Sequence, residues 1–117
     1  MRWEKAEINR IGELESQLLD FGEMVCVRHL IPAGFDSAPL YRGLPADMCP
    51  CEHWCYLVAG RLRYRFVDGE ELVVGKAESF HVRGGHIADA LEDSELIEFT
   101  AADDYRRKAE HLEKKSE

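Results

Sequence analysis

The 117-residue chain is 45% hydrophobic and 32% charged, the make-up of one globular domain rather than of a disordered segment. Its 15 basic and 23 acidic residues leave a net charge of -8, which repels phosphate backbones and anionic membrane surfaces and argues against nucleic acid or membrane as partners. No apolar run approaches the roughly 20 residues of a membrane span, and the polar start Met1-Arg2-Trp3-Glu4-Lys5 has no apolar stretch behind it, so neither span nor secretory signal is expected and a cytoplasmic location follows.

In residues 1–23, Ile11, Leu14 and Leu18 have helical spacing, while Gly12 and the breaker Asp20-Phe21-Gly22 limit any helix to a few turns; this part reads as an N-terminal extension. Met24 to Ile31 is β-rich and stops at Pro32, which predicts a strand carrying Cys26 as a buried apolar filler and His29 as a polar strand position. A loop over residues 33–39 follows, then a short extended segment from Leu40 to Pro45. The next strand is the cysteine-rich run, ending in a bend at Gly60. Arg61 to Val67 alternates strictly, with Leu62, Tyr64 and Phe66 on one face and Arg61, Arg63 and Arg65 on the other. Such an arginine stripe is expected to be solvated or to meet acidic residues of a partner strand.

Asp68-Gly69 is a hairpin signal, because glycine takes the left-handed turn position at little cost. Glu70 to Val74, Ser79 to Val82, Ile87 to Leu91 and Glu95 to Phe99 complete the strands, separated by a turn over residues 75–78 and by Gly84-Gly85. Asp103 is positioned to cap a final helix on which Tyr105, Ala109 and Leu112 share a stripe and Glu110 pairs with Lys114. Many short strands with frequent turn signals predict an all-β antiparallel barrel or sandwich, one domain over 1–117, with a core near 24–100 and a C-terminal helical tail over 101–117.

The chemistry concentrates in Cys49-Pro50-Cys51-Glu52-His53-Trp54-Cys55-Tyr56-Leu57-Val58-Ala59-Gly60. If this run is extended, Cys49, Cys51 and His53 share a face, and three such donors supply three-quarters of a tetrahedral metal site. His86, preceded by Gly84-Gly85, is the candidate that would close it, with Asp47 a weaker addition. Four cysteines in a chain without a secretory signal are expected as thiols or metal ligands, and a bridge from Cys49 to Cys51 would close a strained ring. A Cys₂His₂ set points to zinc first, with iron(II), nickel or copper as alternatives. Cys55 has the parity of the ligands and should face the interior, while Trp54 and Tyr56 face outward as packing or dimer contacts.

The pattern Cys49-Pro-Cys51-Glu-His53-Trp54…Tyr56-Leu-Val-Ala-Gly60 resembles the first motif of the cupin superfamily, the RmlC-like jelly rolls. It is similar in particular to small single-domain bacterial cupins with a Cys-x-Cys-x-His-Trp pattern. Residues 77–86 resemble the second motif of that group, and the likeness runs from about Ala33 to Phe99. It implies a double-stranded β-helix with a central cavity, divalent metal binding and a homodimer. Against the archetypal His-x-His-x3,4-Glu-x6-Gly, His53 falls at the glutamate's place, Cys49 at the second histidine's and Asp47 at the first's. The usual Gly-Asp is Ala77-Glu78, and the usual prolines are Arg83 and Gly84.

Two functional classes follow. A closed site of Cys49, Cys51, His53 and His86 would leave no vacancy and make a structural or small-molecule-binding module. A site with an open position would make a metal-dependent enzyme of oxygenase, isomerase or lyase type, with Glu52, Tyr64, Glu78 and His81 the available acid or base groups. The balance of ligands favours the first.

Overall fold

The computed structural model describes Trp3 and residues 6–116, with side chains through residue 112. The described residues form nine strands in two antiparallel sheets. They are β1 (Glu7–Ile11), β2 (Leu14–Asp20), β3 (Met24–Ile31), β4 (His53–Ala59), β5 (Arg61–Phe66), β6 (Glu71–Gly75), β7 (Ser79–Val82), β8 (His86–Ala90) and β9 (Ser94–Ala101), followed by a helix α1 (Ala102–Ser116). One sheet runs β1-β2-β3-β9-β4-β7 and the other β6-β5-β8. The two face each other as a jelly roll, and α1 packs across the first sheet near β3 and β9. No described helix is long and apolar enough to cross a membrane.

The core follows from alternation. Leu62, Tyr64 and Phe66 of β5 point inward as expected and pack with Leu57, Val74, Val82, Ala90 and Leu96. Arg63, on the other face, donates to Asp89 across the β5–β8 pair at 3.1 and 2.9 Å, and Arg65 approaches the same carboxylate at 3.8 Å. The arginine stripe therefore does meet an acid on its partner strand.

Three expectations are corrected. Residues 6–23 supply no helix: β1 and β2 form a hairpin turning at Gly12, whose φ of 59° is left-handed, and β2 pairs along β3. The helical spacing of Ile11, Leu14 and Leu18 was accidental, because pairing to β3 is a long-range contact that no local pattern records. The segment after Pro39 is not extended but makes short 3-10 turns at Ala38–Tyr41 and Pro45–Asp47. Finally, the cysteine run enters a strand only at His53. Cys49 makes a lone antiparallel bridge to His86, and Pro50 has no N–H with which to continue the ladder.

The last strand inverts the usual reading of its residues. Along β9, Ser94, Leu96, Glu98 and Thr100 are buried while Phe99 is exposed, so a carboxylate and a hydroxyl enter the barrel. In α1 the stripe forms as expected, although Asp103 lies inside the helix rather than capping it, pairing with Arg106 at 3.2 Å. The expected Glu110–Lys114 pair lies outside the described side chains.

Candidate metal centre

One donor atom each from Cys49, His53 and His86 lie within 4.8 Å of one another, and all three residues are buried. The elements explain the meeting. Cys49 and His86 are held face to face by the backbone of their bridge, with Cys49 N–H donating to the His86 carbonyl at 2.8 Å. His53, the first residue of β4, reaches the same point four residues after Cys49, and its Nε2 lies 3.7 Å from the Cys49 sulfur.

Gly84 allows the approach: a Cβ there would sit 2.3 Å from the Pro50 carbonyl oxygen, so only glycine lets the loop before His86 lie against the Cys49-Pro50 backbone. Gly85, at a φ of 83°, then turns the chain inward.

Each imidazole is oriented by its other nitrogen. His86 Nδ1 donates to the Arg83 carbonyl at 2.8 Å, and since a carbonyl only accepts, the Nε2 lone pair faces the site. His53 Nδ1 lies 2.7 Å from the Thr100 hydroxyl. Its Nε2 faces two acceptors, the Cys49 sulfur and Glu98 Oε1 at 3.4 Å. The other Glu98 oxygen accepts from His29 Nε2 at 2.9 Å, and His29 Nδ1 then takes a hydrogen bond from Ser16 at 2.6 Å.

The electrostatics are those of a cation site. A hydrogen bond from Cys51, aided by Lys108 and by His53, holds the Cys49 thiol well below its usual range against the opposing effect of burial. Burial alone would raise Glu98, but the charges of His53, His29 and Lys108 outweigh it and keep the carboxyl ionised. A thiolate, a carboxylate and the His86 Nε2 lone pair thus converge. Such a donor set fits a divalent ion, and soft thiolate with imidazole suits zinc, iron, nickel or copper better than magnesium or calcium.

Of the four residues expected at the site, three converge and one lies beside Cys49 outside the group. Cys51 is buried but outside the converging group. Its sulfur lies 3.5 Å from the Asp104 carbonyl of α1, and the hydrogen bond with Cys49 and burial raise its thiol strongly. With the strand broken at Pro50, the parity that put Cys51 beside Cys49 and His53 no longer applies. Asp47 stays in the loop, accepting from Gly43 N–H at 2.9 Å. Cys55 does face the interior, as core beside Leu57 and Val82, and burial raises its thiol.

The centre opens on a cavity of about 120 Å³, lined by His53 and His86 and, among others, by Ser16, His29, Tyr41, Tyr64, Glu98 and Lys108. Of the acid or base candidates only Tyr64 lines it. Glu52 and His81 pair with each other on the surface at 2.6 Å, and Glu78 accepts from Gly75 N–H at 2.7 Å.

The residues that the sequence reading missed are Glu98, Thr100 and Lys108, and His29 was passed over as a strand residue. Two signals could have found them. Glu98 and Thr100 share parity with the apolar Leu96, and Lys108 lies three residues from Tyr105 and four from Leu112 on the helical stripe.

No family model matches the chain, and no curated protein matches it either. Solved structures do. An RmlC-like cupin from Shewanella frigidimarina NCIMB 400 is 23% identical with a TM-score of 0.64, over 86% of this chain and 87% of that one. Oxalate decarboxylase from Lactobacillus farciminis superposes with a TM-score of 0.65 at 11% identity, over 86% of this chain but only 32% of the larger protein. An iron(II) form of HppE gives a TM-score of 0.63 at 9% identity, over 86% of this chain and 58% of that one. Two facing antiparallel sheets, an inward-lined cavity and these neighbours together give the chain the cupin fold.

Proposed function

We propose that the chain binds a divalent metal ion, zinc before iron(II), nickel or copper, through Cys49, His53 and His86, and handles a small organic molecule at the ion's open side. This is the metal-dependent enzyme reading, and one observation carries it. Three donors converge beside a cavity, while the fourth residue of the closed set, Cys51, neighbours Cys49 but lies outside the converging group. Three protein ligands with a vacant position is the pattern of catalytic rather than structural zinc. An iron(II)-bearing neighbour of the same fold supports a metal in such a barrel. When bound, the ion would supply a Lewis acid to a ligand in the cavity.

The chain's own residues prepare that position. Thr100 and the Arg83 carbonyl fix the two rings. Glu98, tied to His29 and Ser16, places a carboxylate beside His53. Ile31, Leu62 and Leu96 give the cavity an apolar wall. A homodimer and a cytoplasmic location remain part of the proposal, and the exposed Trp54, Tyr56 and Phe99 on neighbouring β4 and β9 support self-association.

X-ray absorption on the zinc-loaded protein, with metal analysis, tests the reading. We expect one ion per chain, one sulfur near ~2.3 Å and two imidazole nitrogens at roughly 2.0–2.1 Å. Cys49→Ser and His53→Ala should lose the ion, and Cys51→Ser should keep it. Two sulfurs in the shell would restore the closed site and remove the enzyme reading. Absence of stoichiometric metal would remove the centre altogether.

A further inference from the structure

We propose that Lys108 makes this cavity a receptor for a small monocarboxylate, its ammonium meeting the ligand's anionic end while the apolar walls take its body. The inference rests on the three-ligand metal centre described above and names the ligand class of that same site.

Lys108 is a charged residue on the inner stripe of α1, only 6% exposed, and it lines the cavity. Removing an ammonium from water costs several kcal/mol unless opposite charge surrounds it. The Tyr105 ring centroid lies 5.5 Å from its ammonium, and the groups acting on it are Tyr41, Cys49, Glu98 and Cys51, of which Cys49 and Glu98 are the negative ones. Those negative groups have other commitments. Glu98 spends both oxygens on His29 and His53, and Cys49 belongs to the metal donor set. Asp89, also on the cavity wall, is paired with Arg63 and Arg65.

The lining then selects the ligand's charge. Lys108 is the only lysine or arginine among the described lining residues, so the cavity offers one cationic anchor. A ligand with one anionic group fits that single anchor, and a neutral ligand would leave the ammonium unmet.

Size and lining narrow the class further. The volume of about 120 Å³ is a little below the roughly 150 Å³ of a cavity that admits benzene, so a ligand of about six heavy atoms fits. Ile11, Leu14, Ile31, Leu62 and Leu96 offer it an apolar wall. A short-chain carboxylate combines the required charge, size and apolar body. The competing account makes Lys108 a fixed counter-charge to Glu98 and Cys49 with no ligand role, and it predicts no preference for anions.

Calorimetric titration of the full, zinc-loaded chain with butyrate and with its neutral isostere butyramide distinguishes the two. Butyrate should bind, and butyramide should bind roughly 10-fold more weakly or worse, as expected for loss of a hydrogen bond to a charged group. Lys108→Met keeps the apolar stem and is compared at saturating zinc, with one zinc per chain verified; it should lose butyrate affinity by a similar factor. Lys108→Arg should keep it within a few-fold. Equal affinity for butyrate and butyramide, or unchanged butyrate binding in a folded, zinc-loaded Lys108→Met protein, would overturn the inference.

So would a zinc-loaded wild-type chain that takes up neither. The zinc count is read separately, so a chain that fails to hold metal refutes the centre itself and the ligand reading with it. Should Lys108→Met not fold, the butyrate–butyramide comparison on the wild-type protein still decides the question.

Discussion

Thr100→Val isolates the contact that aims His53. The two side chains have nearly the same volume, so the change removes a hydroxyl without opening a cavity. Thr100 is 0% exposed and His53 only 1%, so water cannot replace the lost partner 2.7 Å from Nδ1. An orphaned buried polar group costs about 1–3 kcal/mol, which for a chain of this length lowers the melting temperature of the metal-free protein by about 4 °C per kcal/mol. Metal affinity should fall by roughly 10–100-fold, the usual effect of deleting the partner of a ligating histidine. Competition with a chromogenic zinc chelator measures the second quantity and thermal unfolding of the metal-free chain the first. Thr100→Ser provides the control: it keeps the hydroxyl and should keep most of the affinity. If Thr100→Val bound zinc as tightly as the wild type, the hydroxyl would not be orienting the ring, and His53 would have to be held by Glu98 alone.

Two further outcomes are expected. Gly84→Ala would place a Cβ 2.3 Å from the Pro50 carbonyl oxygen, a clash with backbone that cannot rotate away. The Cys49–His86 bridge should therefore shift, costing about 1–3 kcal/mol and most of the bound metal; a variant with wild-type metal content and melting point would show that the loop yields freely. Cys26 is raised by burial, and next by the charge of Glu98, from 9.0 to about 11. The folded state thus favours the protonated thiol, so its contribution to stability is whole below pH 9 and is lost as pH rises from there toward 11. Denaturant unfolding of wild type and Cys26→Ala at pH 8, 9.5 and 11 should show the steeper decline in the wild type while both retain metal, and parallel declines would contradict this.

Much of the architecture was legible because the barrel strands carry their own signals. Met24–Ile31 has the bounds expected from its β-branched content and Pro32, and Leu62, Tyr64 and Phe66 alternate into the core as period two requires. The meeting of His86 with Cys49 and His53 was also legible, through glycines that mark a close backbone approach. Counting from Gly60 placed Asp47, Cys49 and His53 at archetypal ligand positions, and of these Asp47 stays in the loop. Strand parity argued for including Cys51, which lies beside Cys49 but outside the converging group, the run entering its strand only at His53.

The amino-acid sequence by itself determined the strands from Met24 onward, the glycine turns between them and the donor types, since alternation, glycine placement and side-chain chemistry are local properties. Only the tertiary structure decided which face of β9 turns inward, so that Glu98 and Thr100 enter the barrel and Phe99 does not. It likewise decided that β1 and β2 join the sheet, and that α1 brings Lys108 to the cavity. A polar residue between apolar neighbours reads as solvent-facing until a partner is known. Here those partners come from elements far apart in sequence: Glu98 meets His29 across β3, Thr100 meets His53 across β4, and Lys108 reaches the cavity from the far end of the chain.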